Sequence, residues 1–189
     1  MKQSEPRIRK AARVLGDTIS FRDATTADAE FILSLRTDAG KSRFLSATDN
    51  DVGAQRAWLE RYAASEDQAY FIIEFNGDPI GTVRLYDAQG GSFCWGSWIL
   101  KDGRPRQAAM ESALMIYAYA IDYLGFNACH FDVRKGNAGV IKFHERFGAQ
   151  IVEETDLDFL FKLRLEAINE SRRRYHEFLS GSVIVEDGK

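Results

Sequence analysis

The run from Ala69 to Leu100 constrains the fold more than any other part of the chain. Ala69-Tyr70-Phe71-Ile72-Ile73-Glu74-Phe75 is dense in aromatic and β-branched residues, which pack well on a pleated surface. Asn76-Gly77-Asp78-Pro79 follows, a cluster that tolerates positive φ and fixes a turn. Ile80-Gly81-Thr82-Val83-Arg84-Leu85-Tyr86 reads as the return strand of a hairpin. Gln89-Gly90-Gly91 turns the chain again, and Ser92 to Leu100 reads as a third strand. Strands joined by connections this short pair antiparallel, so the run predicts a three-stranded meander.

A different connection comes next. Lys101-Asp102-Gly103-Arg104-Pro105-Arg106-Gln107 is a polar, basic loop. It leads into an apolar helix from Ala108 to Leu124, stopped by Gly125 as a C-terminal cap. Ala128-Cys129-His130-Phe131-Asp132-Val133 is a strand again. Residues 92–133 therefore predict a βαβ unit, whose two strands run parallel.

The flanks complete a single mixed α/β domain over residues 18–180. Thr18 to Arg22 alternates like a strand, and Thr25-Thr26-Ala27-Asp28 caps a helix bearing Phe31, Ile32, Leu33 and Leu35. Residues 39–50 read as a loop and Ala54 to Ala64 as a second helix, with Trp58, Leu59 and Tyr62 on one side. After the βαβ unit come a short helix from Asn137 to Phe147 closed by Gly148, strands at 149–153 and 158–163, and a helix from Leu165 to Leu179. The predicted order is β, α, α, β, β, β, α, β, α, β, β, α. Residues 1–17 are expected as a basic tail or short leading helix, and 181–189 as a tail.

Composition narrows the function classes. With 189 residues, 45% hydrophobic and 28% charged, the chain can bury a core without disulfides or metals. A net charge of −3 argues against a dedicated nucleic-acid binder, which carries a basic excess. Cys94 and Cys129 lack metal-ligand spacing and are expected as reduced core thiols, and no metal is implied. No apolar run reaches the roughly 18–20 residues that span a bilayer, and the N-terminus lacks the apolar stretch of a signal peptide. The expected setting is the cytoplasm, with no membrane partner.

The loop at 101–107 is the most informative candidate site. A helix N-terminus presents free N–H groups and the positive end of a dipole, and both favour phosphate oxygens. Arg104 and Arg106 add charge-assisted donors, and the small Ala108 and Ala109 let a ligand approach the backbone. A solvated basic loop before a core helix is the plainer alternative.

Two motifs resemble the GNAT superfamily of N-acetyltransferases, in the branch of ribosomal-protein and nucleotide-sugar acetyltransferases. Arg104-Pro105-Arg106-Gln107-Ala108-Ala109 resembles its pyrophosphate-cradling Arg/Gln-x-x-Gly-x-Gly/Ala pattern, with Gln107 standing where glycine is usual and Glu111 matching a later Glu. Asn137 to Ala149 resembles Asn-x-x-Ala-Ile-x-Leu-Tyr-Glu-Lys-Leu-Gly-Phe, with His144 at the tyrosine. The likeness covers about residues 18–163. It implies a GNAT-like fold: a central, mostly antiparallel twisted sheet with a splayed parallel pair, flanked by helices. It also implies acetyl-CoA as co-substrate. The implied coenzyme contacts are Trp98, Ile99, Leu100, Arg104, Arg106, Gln107, Ala108, Ala109, Met110, Asn137 and Phe143. His144, Asn137 and Trp98 are the implied catalytic residues: His144 as the acid that reprotonates the coenzyme thiolate, and the Trp98 strand as the source of an N–H that polarises the thioester.

The proton acceptor for the amine stays open. His130, Asp132 and Arg134 share one strand face and are either cleft groups or a salt-bridged surface stripe, while Glu111 is either a base or a helix-terminal carboxylate. Trp95 with Trp98, and Phe44 with Trp58 and Tyr62, are candidates for the acceptor pocket or for the core. His176 is expected to be exposed and inert, and Arg172-Arg173-Arg174 a solvated face or a site for an anionic partner. The acceptor most in keeping with the resemblance is a small primary amine, the amino group of a nucleotide-linked amino sugar. A protein N-terminal acetyltransferase and a catalytically silent acyl-CoA-binding domain are the alternatives, and a homodimer is possible in either case.

Overall fold

The computed structural model describes residues 5–45 and 47–188. One sheet of nine strands runs through it, in the order β7-β8-β6-β5-β4-β3-β2-β1-β9. The meander forms as the sequence predicts: β3 (Ala69–Phe75), β4 (Asp78–Gln89) and β5 (Ser92–Leu100) pair antiparallel in succession. Asn76 and Gly77, both at positive φ, make the first turn. β6 (Ala128–Arg134) lies parallel to β5, the one parallel pair of the sheet. β7 (Gln150–Glu154) and β8 (Asp158–Arg164) extend the sheet antiparallel beyond β6.

Helices cover both faces. α1 (Ala29–Arg36) and α2 (Val52–Ala64) form a small second core with Tyr70 and Ile72 of β3. Asp28 closes a capping box with Thr25 ahead of α1 and holds Arg22 of β2 (Ile19–Asp23) at 2.7 Å. On the other face, α3 (Ala108–Ala118) is apolar nearly all round and is buried accordingly. α4 (Ala138–Arg146) and α5 (Leu165–Arg174) complete that layer.

Four expectations need correction. The segment 1–17 is no tail where it is described: Ile8, Ala11 and Val14 are buried, and β1 (Arg13–Leu15) pairs with β2. A three-residue strand is too short for alternation to show, and its Arg13 is masked as a surface charge while it pairs with Glu74 at 2.9 Å. The segment 181–189 contributes β9 (Ile184–Glu186), which closes the sheet on β1. The long helix does not run regularly to Leu124. Its end widens into a π turn, Tyr119–Tyr123, with Leu124 N–H donating to the Tyr119 carbonyl. That turn packs Tyr119 against Phe71 and brings its hydroxyl to the Arg9 carbonyl, so the N-terminal segment draws the helix end out of register. α5 likewise ends at Arg174, short of the expected Leu179.

Among the described residues, no helix is long and apolar enough to cross a membrane. Cys94 and Cys129 are free and buried.

Candidate functional site

The parallel pair comes apart almost as soon as it forms. β5 and β6 pair at Ser92–Ala128 and Phe93–Cys129, and no further. Two features hold them open. The first is a bulge in β5: between the Thr82–Ile99 and Arg84–Gly96 pairs, β5 carries one residue more than β4. Ser97 sits there with φ +48°, its carbonyl accepting from Thr82 Oγ1 at 2.8 Å. The second is a wedge. The His144 ring, from α4, lies 5.3 Å from Trp95 on β5 and 4.1 Å from Phe131 on β6. A strand edge that loses its neighbour keeps unpaired N–H and C=O groups. Past Phe93, β5 therefore offers those groups to whatever enters the notch.

A cleft of about 300 Å³ occupies this opening, with Trp95, Ser97, Trp98, Asp132, Asn137 and His144 among its lining residues. The structure thus brings together the three residues implied as catalytic. Their side chains do different work. Trp98 Nε1–H donates to Ser112 Oγ at 3.1 Å, and Ser112 donates to the Ala109 carbonyl at 3.1 Å, so Trp98 braces β5 against the first turn of α3. Its ring also meets Phe143 at 4.9 Å. Asn137 caps α4, its Oδ1 accepting from Val140 N–H at 3.4 Å.

His144 is 5% exposed in an aromatic box, and its Nδ1 is buried with no partner. Burial away from water penalises the cation and pushes its pKa down to about 3. At neutral pH the ring is therefore uncharged. The implied role of His144 as the acid at the coenzyme sulfur would rest on a neutral ring offering one N–H.

The phosphate-binding candidates lie at the start of α3. Arg106 and Arg104 are exposed, and Arg104 Nη1 donates to the Lys101 carbonyl at 3.2 Å. Ala108 is fully buried, its N–H donating to the Pro105 carbonyl at 3.0 Å, while Gln107, Ala109 and Met110 are half-buried. Ile99 is buried and Leu100 half-buried, so β5 too would meet a ligand through its main chain. These residues fit a coenzyme of the kind the motifs imply: an open strand edge for an extended amide-bearing arm, and a basic helix N-terminus for phosphates.

The remaining candidates separate cleanly. Glu111 is fully buried on α3, its Oε1 accepting from the N–H groups of Thr18 (2.6 Å) and Ile19 (3.1 Å), so it ties β2 to α3. Burial raises its pKa. His130 bridges Ser92 Oγ (2.7 Å) and Asp87 (3.1 Å), and Arg134 pairs with Asp158 at 3.3 Å, so two of the three stripe residues are engaged on the surface. Asp132 lies between them and lines the cleft. Continuing the parallel register from Phe93–Cys129 sets Asp132 level with Gly96, beside the bulge. Phe44 lines the cleft, but Tyr62 is core: it stacks on Trp58 and its hydroxyl bonds Asp23. Arg172 pairs with Asp122 and Arg174 with Glu170, which leaves the arginine run a largely self-neutralised face.

Arg84 and Arg36 line the cleft and were not anticipated. The available signal was a charge in the middle of an otherwise apolar strand, Ile80 to Tyr86.

The GNAT acetyltransferase domain family matches residues 18–150. Among solved structures, apo FdhC, a nucleotide-linked sugar GNAT, is 37% identical, with a TM-score of 0.78 over 90% of this chain and 97% of that one. A GCN5-related N-acetyltransferase from Brucella melitensis (15% identity, TM-score 0.76, 94% and 90% covered) shares the fold, as does the spermidine/spermine N-acetyltransferase SpeG from Vibrio cholerae (13%, 0.67, 82% and 98%). No curated protein matches by sequence. The chain belongs to the GNAT acetyltransferase family. It is an acetyl-CoA-dependent N-acetyltransferase of mixed α/β fold.

Proposed function

We propose that the enzyme acetylates the amino group of a nucleotide-linked amino sugar. The observation that carries this is the likeness to FdhC, a nucleotide-linked sugar GNAT, over nearly the whole length of both chains. The charge at the cleft mouth agrees. Arg134 is paired with Asp158, and Arg36 and Arg84 outweigh the other carboxylate of the lining, Asp132, which suits an anionic acceptor better than the amino-terminal peptide of a protein. Both substrates belong to the cytoplasm, where we place the reaction.

In the transfer, a C–N bond forms as the thioester C–S bond breaks, the amine gives up a proton and the sulfur gains one. The β5 main chain at Ser97–Leu100 holds the acyl arm along its open edge, and an N–H there polarises the carbonyl. Arg104, Arg106 and the first turn of α3 hold the phosphates. Asp132, on the cleft at the level of the bulge, takes the amine's proton. His144, which lines the same cleft, offers an N–H toward the departing sulfur while remaining neutral. The test is thiol release from acetyl-CoA with a panel of nucleotide-linked amino sugars and, separately, amino-terminal peptides. Release with a sugar and not with peptides is the expected result; release with peptides alone overturns the reading.

A further inference from the structure

A second cavity, of about 330 Å³, lies on the α1/α2 face of the sheet. Arg36, Arg84 and Ser97 line both it and the acyl-transfer cleft, so the two are continuous. Its other walls include Gln55, Trp58 and Arg61 of α2. Nothing in the acetyl transfer itself uses this space.

We propose that this cavity is the subsite for the nucleoside diphosphate of the acceptor, with the phosphates on Arg84, Arg36 and Arg61 and the base against Trp58. The proposal rests on the nucleotide-linked sugar reading and adds to it where the nucleotide sits and which residues select it.

Charge is the first support. Three arginines and one carboxylate, Asp49, line the cavity. The net of two positive charges is the complement of a diphosphate diester. Arg84 is the best prepared of the three. Its guanidinium rests 4.3 Å from the Tyr86 ring centroid and 5.6 Å from that of Trp58. Its Nε is buried with no partner in the protein. A buried donor left unbonded is destabilising, and an incoming phosphate oxygen would give it a partner. The strand explains how Arg84 reaches over the site, because its partner on β5 is Gly96, which has no side chain in the way. Arg36, at the end of α1, is set in place by Thr48, to which its Nε donates at 2.8 Å. Arg61 is exposed at the rim.

Shape is the second support. Trp58 is half-buried and locked from behind, stacked on Tyr62 at 5.9 Å and edge-on to Tyr70 at 5.5 Å. An indole fixed this way, with Tyr62 on one face and the Arg84 guanidinium over the ring, can meet a nucleobase along its exposed part without losing rotamer freedom. Gln55, 9% exposed beside it, supplies an amide that can both donate to and accept from a base edge. The order base, phosphates, sugar then runs from Trp58 past Arg84 to Ser97 and the bulge, which delivers the amino group beside Asp132.

The test titrates thymidine diphosphate, uridine diphosphate and inorganic pyrophosphate into the protein saturated with coenzyme A. It uses wild type, Arg84→Gln, Trp58→Leu and the exposed Arg61→Gln, whose position carries no folding risk. At least one nucleoside diphosphate is expected to bind wild type and to lose about 10- to 100-fold with Arg84→Gln, about 10-fold with Trp58→Leu and a smaller factor with Arg61→Gln. Pyrophosphate is expected to bind more weakly than the nucleoside diphosphate and to be indifferent to Trp58→Leu. Acetyl-CoA affinity should stay within about twofold in all three. Unchanged nucleoside diphosphate affinity in every variant overturns the subsite while leaving the sugar reading intact, provided wild type still acetylates a nucleotide-linked sugar. Loss of acetyl-CoA affinity in parallel also overturns it, assigning the cavity to the coenzyme. A wild type that neither binds any nucleoside diphosphate nor acetylates any nucleotide-linked sugar overturns both.

Discussion

His144 concentrates the residue-scale physics of this enzyme. A histidine boxed by Trp95, Phe131 and Phe143 gains packing but loses water around its cation. Its pKa falls from 6.5 to about 3 in the fold. Between those values the unfolded chain binds a proton that the folded chain does not, so stability rises with pH across that window and is lost as pH falls through it. The full effect, reached below about pH 3, is on the order of 5 kcal/mol. His144→Phe keeps an aromatic wedge between β5 and β6 and removes the titration. Melts at pH 4 and pH 7.5 should show a smaller acid loss in the variant, and an unchanged gap would mean the ring is not held neutral. The same variant should lower kcat with little change in the acetyl-CoA KM. Asp132 is a second residue-scale case. Asp132→Asn should lower kcat by about 100-fold with little change in the acetyl-CoA KM. A variant retaining full turnover at neutral pH would move the base elsewhere.

At the scale of elements, the site is a failed strand pairing. Gly81 shows how tightly it is set. A Cβ there would lie 2.5 Å from the Ile99 carbonyl oxygen and 2.7 Å from Leu100 Cδ2. Gly81→Ala should therefore push β5 at its coenzyme-facing end, costing about 1–3 kcal/mol. The melting temperature should fall, and the shift produced by added acetyl-CoA should shrink with it. A stable variant with normal coenzyme response would show that the edge tolerates displacement. The elements themselves were readable in sequence because the meander and the long helix have strong periods and glycine-marked turns. The bulge was not. Ser97 at φ +48° follows a glycine that could equally have carried the irregularity, and nothing in Trp95-Gly96-Ser97-Trp98 says which residue turns. The arginine cavity was also hidden: Arg36, Arg61 and Arg84 are 48 positions apart at the extremes and meet only where α1 and α2 pack over β4.

At the scale of the whole molecule, the chain closes its sheet with its own two ends. β1 lies between β2 and β9, and Ile8, Ala11 and Val14 join the core that α3 also builds. Such pairings are invisible in sequence, since three-residue strands carry no period and their partners are remote. Deleting residues 182–189 exposes the β1 edge and removes the half-buried Val183 and Val185 from the core they pack against. It should cost about 1–2 kcal/mol, or roughly 2–8 °C in melting temperature for a chain of this size. Acetyl-CoA should still bind, because the notch lies three strands from β1. Loss of binding on truncation would mean the ends support the site as well as the sheet.

The central claim is that the splayed β5–β6 notch passes an acetyl group from acetyl-CoA to the amine of a nucleotide-linked sugar. The most direct measurement is thiol release from acetyl-CoA by the purified enzyme with nucleotide-linked amino sugars, with the product mass read in parallel. One thiol released per N-acetylated sugar is the predicted result. Tight acetyl-CoA binding with no thiol release above the no-acceptor rate, across every sugar of the panel, would contradict it.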